Sequence, residues 1–590
     1  MASSRASTSK VLLRSLSSSS AARPLSDIHP ASPSPSPNSQ RTQYGQPLPS
    51  SHPHLFPAYD TALPFPSLFP QRSLTPSHDY HHSLRGDAAS SQLTPGITRA
   101  EYEARRRNLV DAIPDGSVVL VMGGRVKYMS GAIFYRFRQA SNFFYLTGFN
   151  EPDAALVLEK RASTPRGFKM TMFVPPREAG YEAWNGPRTG TDGAVDVFGA
   201  DEAIDIDGDG RSLLEYLKAT LPGASTIYYD PPLCPTIPRK TSKLTSSNAT
   251  TSQNLLNYLS PPSPSALDIF SKKTDFDAVV KLLAKAHDLA PLLDSHRLIK
   301  SPSELRLMRR AGQIAGLAHN STMRFSQSPS AGSEAALEAH FEYTSSLLGA
   351  QRPAYVPVVA AGSRGCTIHY TSNDHPAPQG SLVTIDAGVE HAGYTSDITR
   401  AWPTSGHFTE PQRDLYSALL SVLKQCTALA VANNGYSLAS LHRRSVELLR
   451  VELRQLGFDL ALGELERCFY AHYLGHFLGL DLHDTPTVSR GTTLKEGMVI
   501  TVEPGLYIPE DTTGLRSVVP RAFRGIGIRV EDDVAVGRGE NVVLSAEAVK
   551  EVKDVEAVLQ GWGGEEVERM VSAGQAGLGF DRGVETRQSV

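Results

Sequence analysis

The run Thr384-Ile-Asp-Ala-Gly-Val-Glu-His-Ala-Gly-Tyr-Thr-Ser-Asp-Ile-Thr-Arg400 decides how the second half of this chain folds. Its apolar flanks predict two antiparallel strands, yet each arm carries an aspartate, Asp386 and Asp397, eleven positions apart. With His391 and Ala392 at the turn, the two aspartates face each other directly. Side chains of such a pair point to one face, with Cβ atoms ~4.5–5.5 Å apart. An even spacing would have put them on opposite faces. Glu390-His391-Ala392-Gly393 is not the strongest two-residue turn, so a longer loop that keeps the register is also compatible. Two carboxylates this close in a half-buried sheet repel, so either one is protonated or a cation lies between them.

Three further segments favour the cation. "AHYLGHFLGLDLHD" packs His472, His476, Asp481, His483 and Asp484 into an apolar run broken by glycines. "GMVITVEPGLYI" places Glu503 at the end of a β-branched strand that Pro504-Gly505 stops. "GIGIRVEDDVAV" places Glu531 inside an alternating strand, with Arg529 two residues back on the same face. A single such residue is usually a satisfied polar group of the core. Four strands doing it together point to divalent ions, and an oxygen-rich set with an imidazole suits manganese, with cobalt or zinc possible.

These segments resemble the pita-bread (M24) metallopeptidases, in particular the aminopeptidase P (Xaa-Pro aminopeptidase) branch. The resemblance maps five metal ligands by motif: Asp386 in "IDAG", Asp397 in "SDITR", His476 in "GHFLGLDLHD", Glu503 in "EPGLY" and Glu531 in "RVEDD". It extends to the first half of the chain, where "FRQASNFFYLTGFNEPDAALVL" and "AWNGPRTG" are similar to that branch's N-terminal domain. "GQPLPSSHPHLFP" and "LTPGITRAEYEARR" resemble its mitochondrial members, including the intermediate-cleaving peptidases that trim imported proteins. The fold implied is α/β (α+β): a creatinase/aminopeptidase-P-type α/β domain followed by a pita-bread catalytic domain.

The resemblance also implies roles. Asp397 and Glu531 would bridge two divalent ions, most plausibly Mn2+. Asp386 would complete one coordination shell, and His476 with Glu503 the other. Four carboxylates balance two such ions, which lets a bound water lose a proton near neutral pH. Glu503 is the candidate proton shuttle. His369, in "CTIHY", and His483 are similar to histidines that hold the scissile carbonyl and its oxyanion. His472 and Arg529 would line the pocket beyond the cut bond. The expected enzyme is a metalloaminopeptidase acting on Xaa-Pro peptides, or on imported proteins left with a destabilising first residue. The alternatives are a prolidase-like dipeptidase and a metal-free binding protein on the same fold.

The rest of the chain fits this picture. A length of 590 residues allows two or three domains. A net charge of −3 gives no sign of a nucleic-acid surface, and no apolar run approaches the ~20 residues that span a bilayer. Four cysteines without a CxxC pair argue against a disulfide scaffold or zinc finger. Residues 1–26 hold Arg5, Lys10, Arg14 and Arg23, many serines and no acid, the composition of a mitochondrial transit peptide. That predicts a location in the matrix or at the inner membrane. Residues 27–93 are Ser/Pro-rich and expected to be unstructured. The N-terminal domain is expected over 94–297 with a Ser/Pro/Thr-rich insertion near 232–266, the catalytic domain over 298–555, and a polar tail over 556–590. Partners would be peptide or protein N-termini, with a homodimer as a further expectation.

Overall fold

A computed structural model describes residues 45–49, 52, 55, 92–206, 211–230 and 277–564. The transit-peptide, insertion and far C-terminal predictions lie outside these residues. Six strands of the first domain form a mixed sheet in the order His287–Asp288, Ile227–Asp230, Val118–Met122, Ala155–Lys160, Phe168–Val174, Glu202–Asp205. Val118–Met122 runs parallel to Ile227–Asp230 and antiparallel to Ala155–Lys160. It is buried at every position, as a run of apolar residues in a sheet covered on both faces should be. Helix Arg99–Asp111 covers one face with Leu109 and Val110, and helix Arg211–Thr220 the other with Leu213 and Leu217. The first of these helices starts where the sequence predicts, with Thr98 Oγ1 accepting from Glu101 N at 3.2 Å.

Part of the segment expected to be unstructured is ordered. Gln92–Thr94 is a strand, and Gln46 and Leu48 are buried. Gln46 Nε2 donates to Gly148 O (3.0 Å) while its Oε1 accepts from Asn150 N (2.6 Å). One amide that pairs a buried carbonyl and N–H, together with a leucine in the core, offsets the ordering entropy that the Ser/Pro composition argued from. The polar tail also begins later than expected. Helix Val552–Leu559 buries Val555, Val558 and Leu559 along one stripe.

The second domain opens with helix Pro302–Phe325, buried along most of its length. Its cap is Ser301: Ser301 and Glu304 form a reciprocal capping box, and Pro302 takes the first helical position. Helices Glu334–Leu347, Glu410–Leu429 and Leu438–Gln455 pack around a set of small antiparallel sheets. The central one orders Val358–Ala361, Leu382–Asp386 and Thr399–Pro403. Beside it Val499–Val502 pairs with Asp532–Ala535, and Gly505–Tyr507 with Gly527–Arg529. Glu531 therefore falls between two strands, not inside one, because the chain leaves one sheet for the next at Val530-Glu531.

The deciding hairpin differs from its predicted register. Its turn is Ala392-Gly393, both at positive φ (50° and 88°), which pairs His391 with Tyr394 and Asp386 with Thr399. Gly393 takes the left-handed conformation that closes a two-residue turn compatible with strand twist, whereas a turn at His391-Ala392 would put the glycine outside. The register shift is two residues, so Asp386 and Asp397 stay on one face as diagonal neighbours.

The two domains share a core. Ala392, Tyr394, Leu478, Leu480, Val499, Ala535 and Leu544 pack with Val119, Leu156 and Met170 of the first sheet. Arg105 is buried between the rings of Tyr102 and Tyr145 (5.0 and 4.4 Å) and donates to Tyr394 OH at 3.3 Å. Tyr394 in turn donates to Glu304 Oε1 at 2.8 Å. Among the described residues no helix is long and apolar enough to cross a membrane.

Candidate metal centre

Asp386 ends its strand and Asp397 precedes the strand that pairs with it. Between them sits a residue that the sequence did not flag. Tyr355 OH lies 2.5 Å from Asp386 Oδ1 and 2.6 Å from Asp397 Oδ1, and donates to either carboxylate. Burial first, then the two aspartates, holds its phenol proton on well past the ordinary tyrosine range. The other oxygen of Asp397, Oδ2, is 3.2 Å from His476 Nε2, and that nitrogen is 3.7 Å from Glu503 Oε1. Asp397 thus divides its oxygens between two halves of the site: Asp386 on one side, His476 and Glu503 on the other.

His476 is fixed for this role by its backbone surroundings. Its Nδ1 faces Phe477 O at 3.0 Å, a donor arrangement that turns Nε2 toward the carboxylates. The loop that follows is held from outside the domain. Arg297 donates to Asp481 (2.7 Å) and to Asp484, Lys300 to Asp484 (2.9 Å), and Ser141 to Asp481 (2.5 Å). Arg138 reaches Leu480 O at 2.5 Å and Glu390 at 2.5 Å. His483, on this loop, is exposed and stands edge-on to His476 with ring centroids 4.4 Å apart.

Glu531 is buried. Its Oε2 accepts from Thr399 Oγ1 at 2.6 Å, but its Oε1 has no hydrogen-bond donor among the described residues. Asp397, His476 and Glu531 offer ligand atoms all within 4.8 Å of one another. Two like charges ~4 Å apart in an effective dielectric of ~20 repel by about 4 kcal/mol, so the protons move to relieve it. Burial lifts the Glu503 carboxyl to about 7 against the pull of His476 and Arg529, and lifts Asp386 and Glu531 as well. Asp397 moves the other way: burial raises it, but the bonds from His476 and Tyr355 prevail and hold it low. His476 is disfavoured as a cation by burial, yet Asp397 and Glu503 push it up to about 9. An orphaned buried carboxylate oxygen within an acidic cluster of this kind fits divalent cations, which these five residues have the donor set to hold.

Arg529, which the resemblance implies lines the pocket beyond the cut bond, is engaged at every guanidinium nitrogen. It is buried, with Nη2 on Asp386, Nη1 on Tyr507 OH (2.6 Å) and Nε on Thr399 Oγ1 (2.9 Å). Tyr507 OH continues the chain to His472 Nε2 at 2.9 Å, and His472 Nδ1 donates to Tyr473 O at 2.7 Å. Burial and the nearby Arg529 hold His472 neutral, down to about 3. His369 is exposed and lies near both His472 and His483. The structure therefore gathers all the nominated residues around one centre. Thr399 and Tyr507 were missed although they stand inside quoted motifs, and Tyr355, in "RPAYVPVV", carries no local signal. A second acid–histidine group, Glu334, Asp374 and His375, is different. Glu334 already accepts from Ala361 N, Arg364 Nε, Tyr370 OH and His375 N, all at 2.7–3.1 Å. It is a structural carboxylate.

Arg400, the last residue of the deciding run, braces this centre. It is fully buried and donates to Asp532 (2.7 Å) and to the carbonyls of Glu531 (2.5 Å), Ala548 (2.8 Å) and Val549 (3.0 Å). Arg400→Gln leaves Asp532 and the carbonyls of Thr399, Glu531, Ala548 and Val549 short of a donor. The expected loss is about 3–5 kcal/mol of stability, checked by denaturant unfolding of the purified variant.

Residues 306–538 match metallopeptidase family M24, and residues 102–228 match the aminopeptidase P N-terminal domain. Intermediate cleaving peptidase 55 of Saccharomyces cerevisiae is 41% identical over 473 residues, covering 80% of this chain and 86% of that protein. The crystal structure of the yeast protein lacking its N-terminal 58 residues superposes with a TM-score of 0.67 at 38% identity, over 80% of this chain and 99% of that one. Xaa-Pro aminopeptidase 3 of Homo sapiens is 37% identical, over 79% of this chain and 87% of its own. The mitochondrial intermediate cleaving peptidase 55 of Arabidopsis thaliana is 34% identical, over 87% of each.

Proposed function

The chain belongs to metallopeptidase family M24 and is a metalloaminopeptidase of pita-bread fold, and from that premise we propose that its centre is dinuclear, held by Asp386, Asp397, His476, Glu503 and Glu531. The observation that carries this is the divided Asp397 carboxylate beside a Glu531 oxygen with no donor. Divalent ions bound there, Mn2+ by the oxygen-rich donor set, would supply an acidified water and a positive field for the scissile carbonyl. Glu503, beside the attacking water, takes its proton and passes it to the leaving nitrogen. His483 and His369 offer N–H donors to the carbonyl oxygen as charge builds on it. Arg529 acts through Asp386 and Tyr507, and His472 closes that chain at the pocket wall.

The substrates we propose are Xaa-Pro peptides and imported proteins carrying a destabilising first residue, in mitochondria. The basic, acid-free residues 1–26 and the names of the yeast and Arabidopsis relatives support this. Manganese-loaded protein is expected to release the first residue from an Xaa-Pro tripeptide and to leave an Xaa-Pro dipeptide intact. Cleavage confined to the dipeptide would make it a prolidase. Comparing protein N-termini from mitochondria with and without this chain separates proline-directed cutting from trimming of imported chains. We also propose a homodimer, because Tyr128, Met129, Ile133 and Phe134 all stand more than half exposed on one hairpin. Sedimentation equilibrium checks it, and a monomer with that hairpin intact would refute it.

A further inference from the structure

His319, on helix Pro302–Phe325, has no exposed surface and no part in the chemistry above. Its ring stands edge-on to Phe341, centroids 5.0 Å apart, and its Nε2 lies 3.0 Å from Ala387 O. The Ile398 carbonyl also faces the ring. One histidine thus meets the carbonyl of the residue that follows each aspartate of the hairpin, Ala387 after Asp386 and Ile398 after Asp397. A core histidine that merely fills space would be better replaced by an apolar ring, because its Nδ1 finds no partner among the described residues and carries an uncompensated desolvation cost.

The backbone at this point explains why a donor is needed. Regular pairing of the arms ends at Asp386 opposite Thr399. Beyond it the arms close so tightly that a Cβ at Gly388 would collide with Ser396 O. Ala387 N is held by Ile398 O at 3.0 Å, which leaves its carbonyl to be satisfied from the helix. Without His319 that buried carbonyl would have to turn to find a donor, and the rotation at Ala387 would pass to Asp386, the residue bonded to its nitrogen.

We propose that His319 is a positioning residue of the metal centre: its Nε2–H locks the Ala387 peptide and thereby aims Asp386 at the position it shares with Asp397. The proposal rests on the five-residue centre holding divalent cations, and its test separates the two. Chelator-stripped wild type, His319→Phe, His319→Gln and His319→Asn are titrated with Mn2+ by calorimetry, and their melting is recorded in chelator. His319→Phe keeps the ring and deletes the donor; it is expected to bind Mn2+ about 10–100-fold more weakly. His319→Gln, whose amide N–H reaches the same carbonyl, is expected to recover most of that loss, and the shorter His319→Asn is not. A purely structural role would lower the melting point of the stripped variants and leave the affinity of the folded protein unchanged, which overturns the proposal. If His319→Phe does not fold, equal affinities for the Gln and Asn variants overturn it as well. A wild type that binds no Mn2+ sinks the metal centre itself, and the role of His319 with it.

Discussion

Asp397→Ala is expected to abolish peptide hydrolysis and to leave purified protein unable to retain divalent metal. Its carboxylate is the one group that touches both halves of the centre, through His476 on one oxygen and through Tyr355 and Asp386 on the other. Losing several kcal/mol of charge stabilisation corresponds to roughly a 10^3-fold fall in kcat/KM. Metal analysis of variant and wild type side by side checks the cause. Full metal content with full activity would show that the carboxylate has no share in holding the ions. The substitution also unpairs the buried His476 and Tyr355, so melting of the variant is recorded beside its metal content.

The second large effect is on pH. In metal-free protein His476 is held charged, with a pKa pushed up to about 9 from 6.5; that contribution is complete below pH 6.5 and is lost as pH rises toward 9. Glu503 is lifted from 4.5 to about 7, so the fold favours its neutral form, and stability falls again as pH rises from 4.5 through 7. Asp386 and Glu531 shift in the same direction, and Asp397 opposes them. The share of stripped-protein stability due to these groups is therefore larger at pH 6 than at pH 8.5, while neutral buried histidines such as His472 and His319 pull the other way. Metal needs the deprotonated ligands, so its affinity should climb about tenfold per pH unit for each proton displaced. Calorimetry across pH 6–8.5 reads both slopes. An affinity independent of pH would mean that His476 and Glu503 are not ligands.

Much of this centre was legible before any coordinates. Its ligands sit at strand ends and in a glycine-broken loop, where a buried acid or histidine stands out against apolar neighbours. The parity of the Asp386–Asp397 spacing already placed both on one face, and that survived a two-residue error in register because parity is indifferent to it. What sequence could not supply is contact between distant segments. Tyr355 is an ordinary tyrosine until the strand ends bring two carboxylates to its hydroxyl. Arg529 reads as a pocket-lining cation until Asp386 closes over it. Gln46 lies in a stretch whose composition predicts no structure, and composition does not register that one amide fits one carbonyl and one N–H at Gly148 and Asn150.

The apolar interior shared between Met170 and Leu544 has a consequence for how the protein comes into being. A ribosome delivers the six-stranded sheet first, and the face that helix Arg99–Asp111 covers only in part is not closed until Ala392, Tyr394, Leu478 and Leu544 have followed. The early half must wait, greasy side outward, through much of its own synthesis, and in that interval it is a natural client for a chaperone. Once the late segments arrive, both halves are committed together and should melt as one.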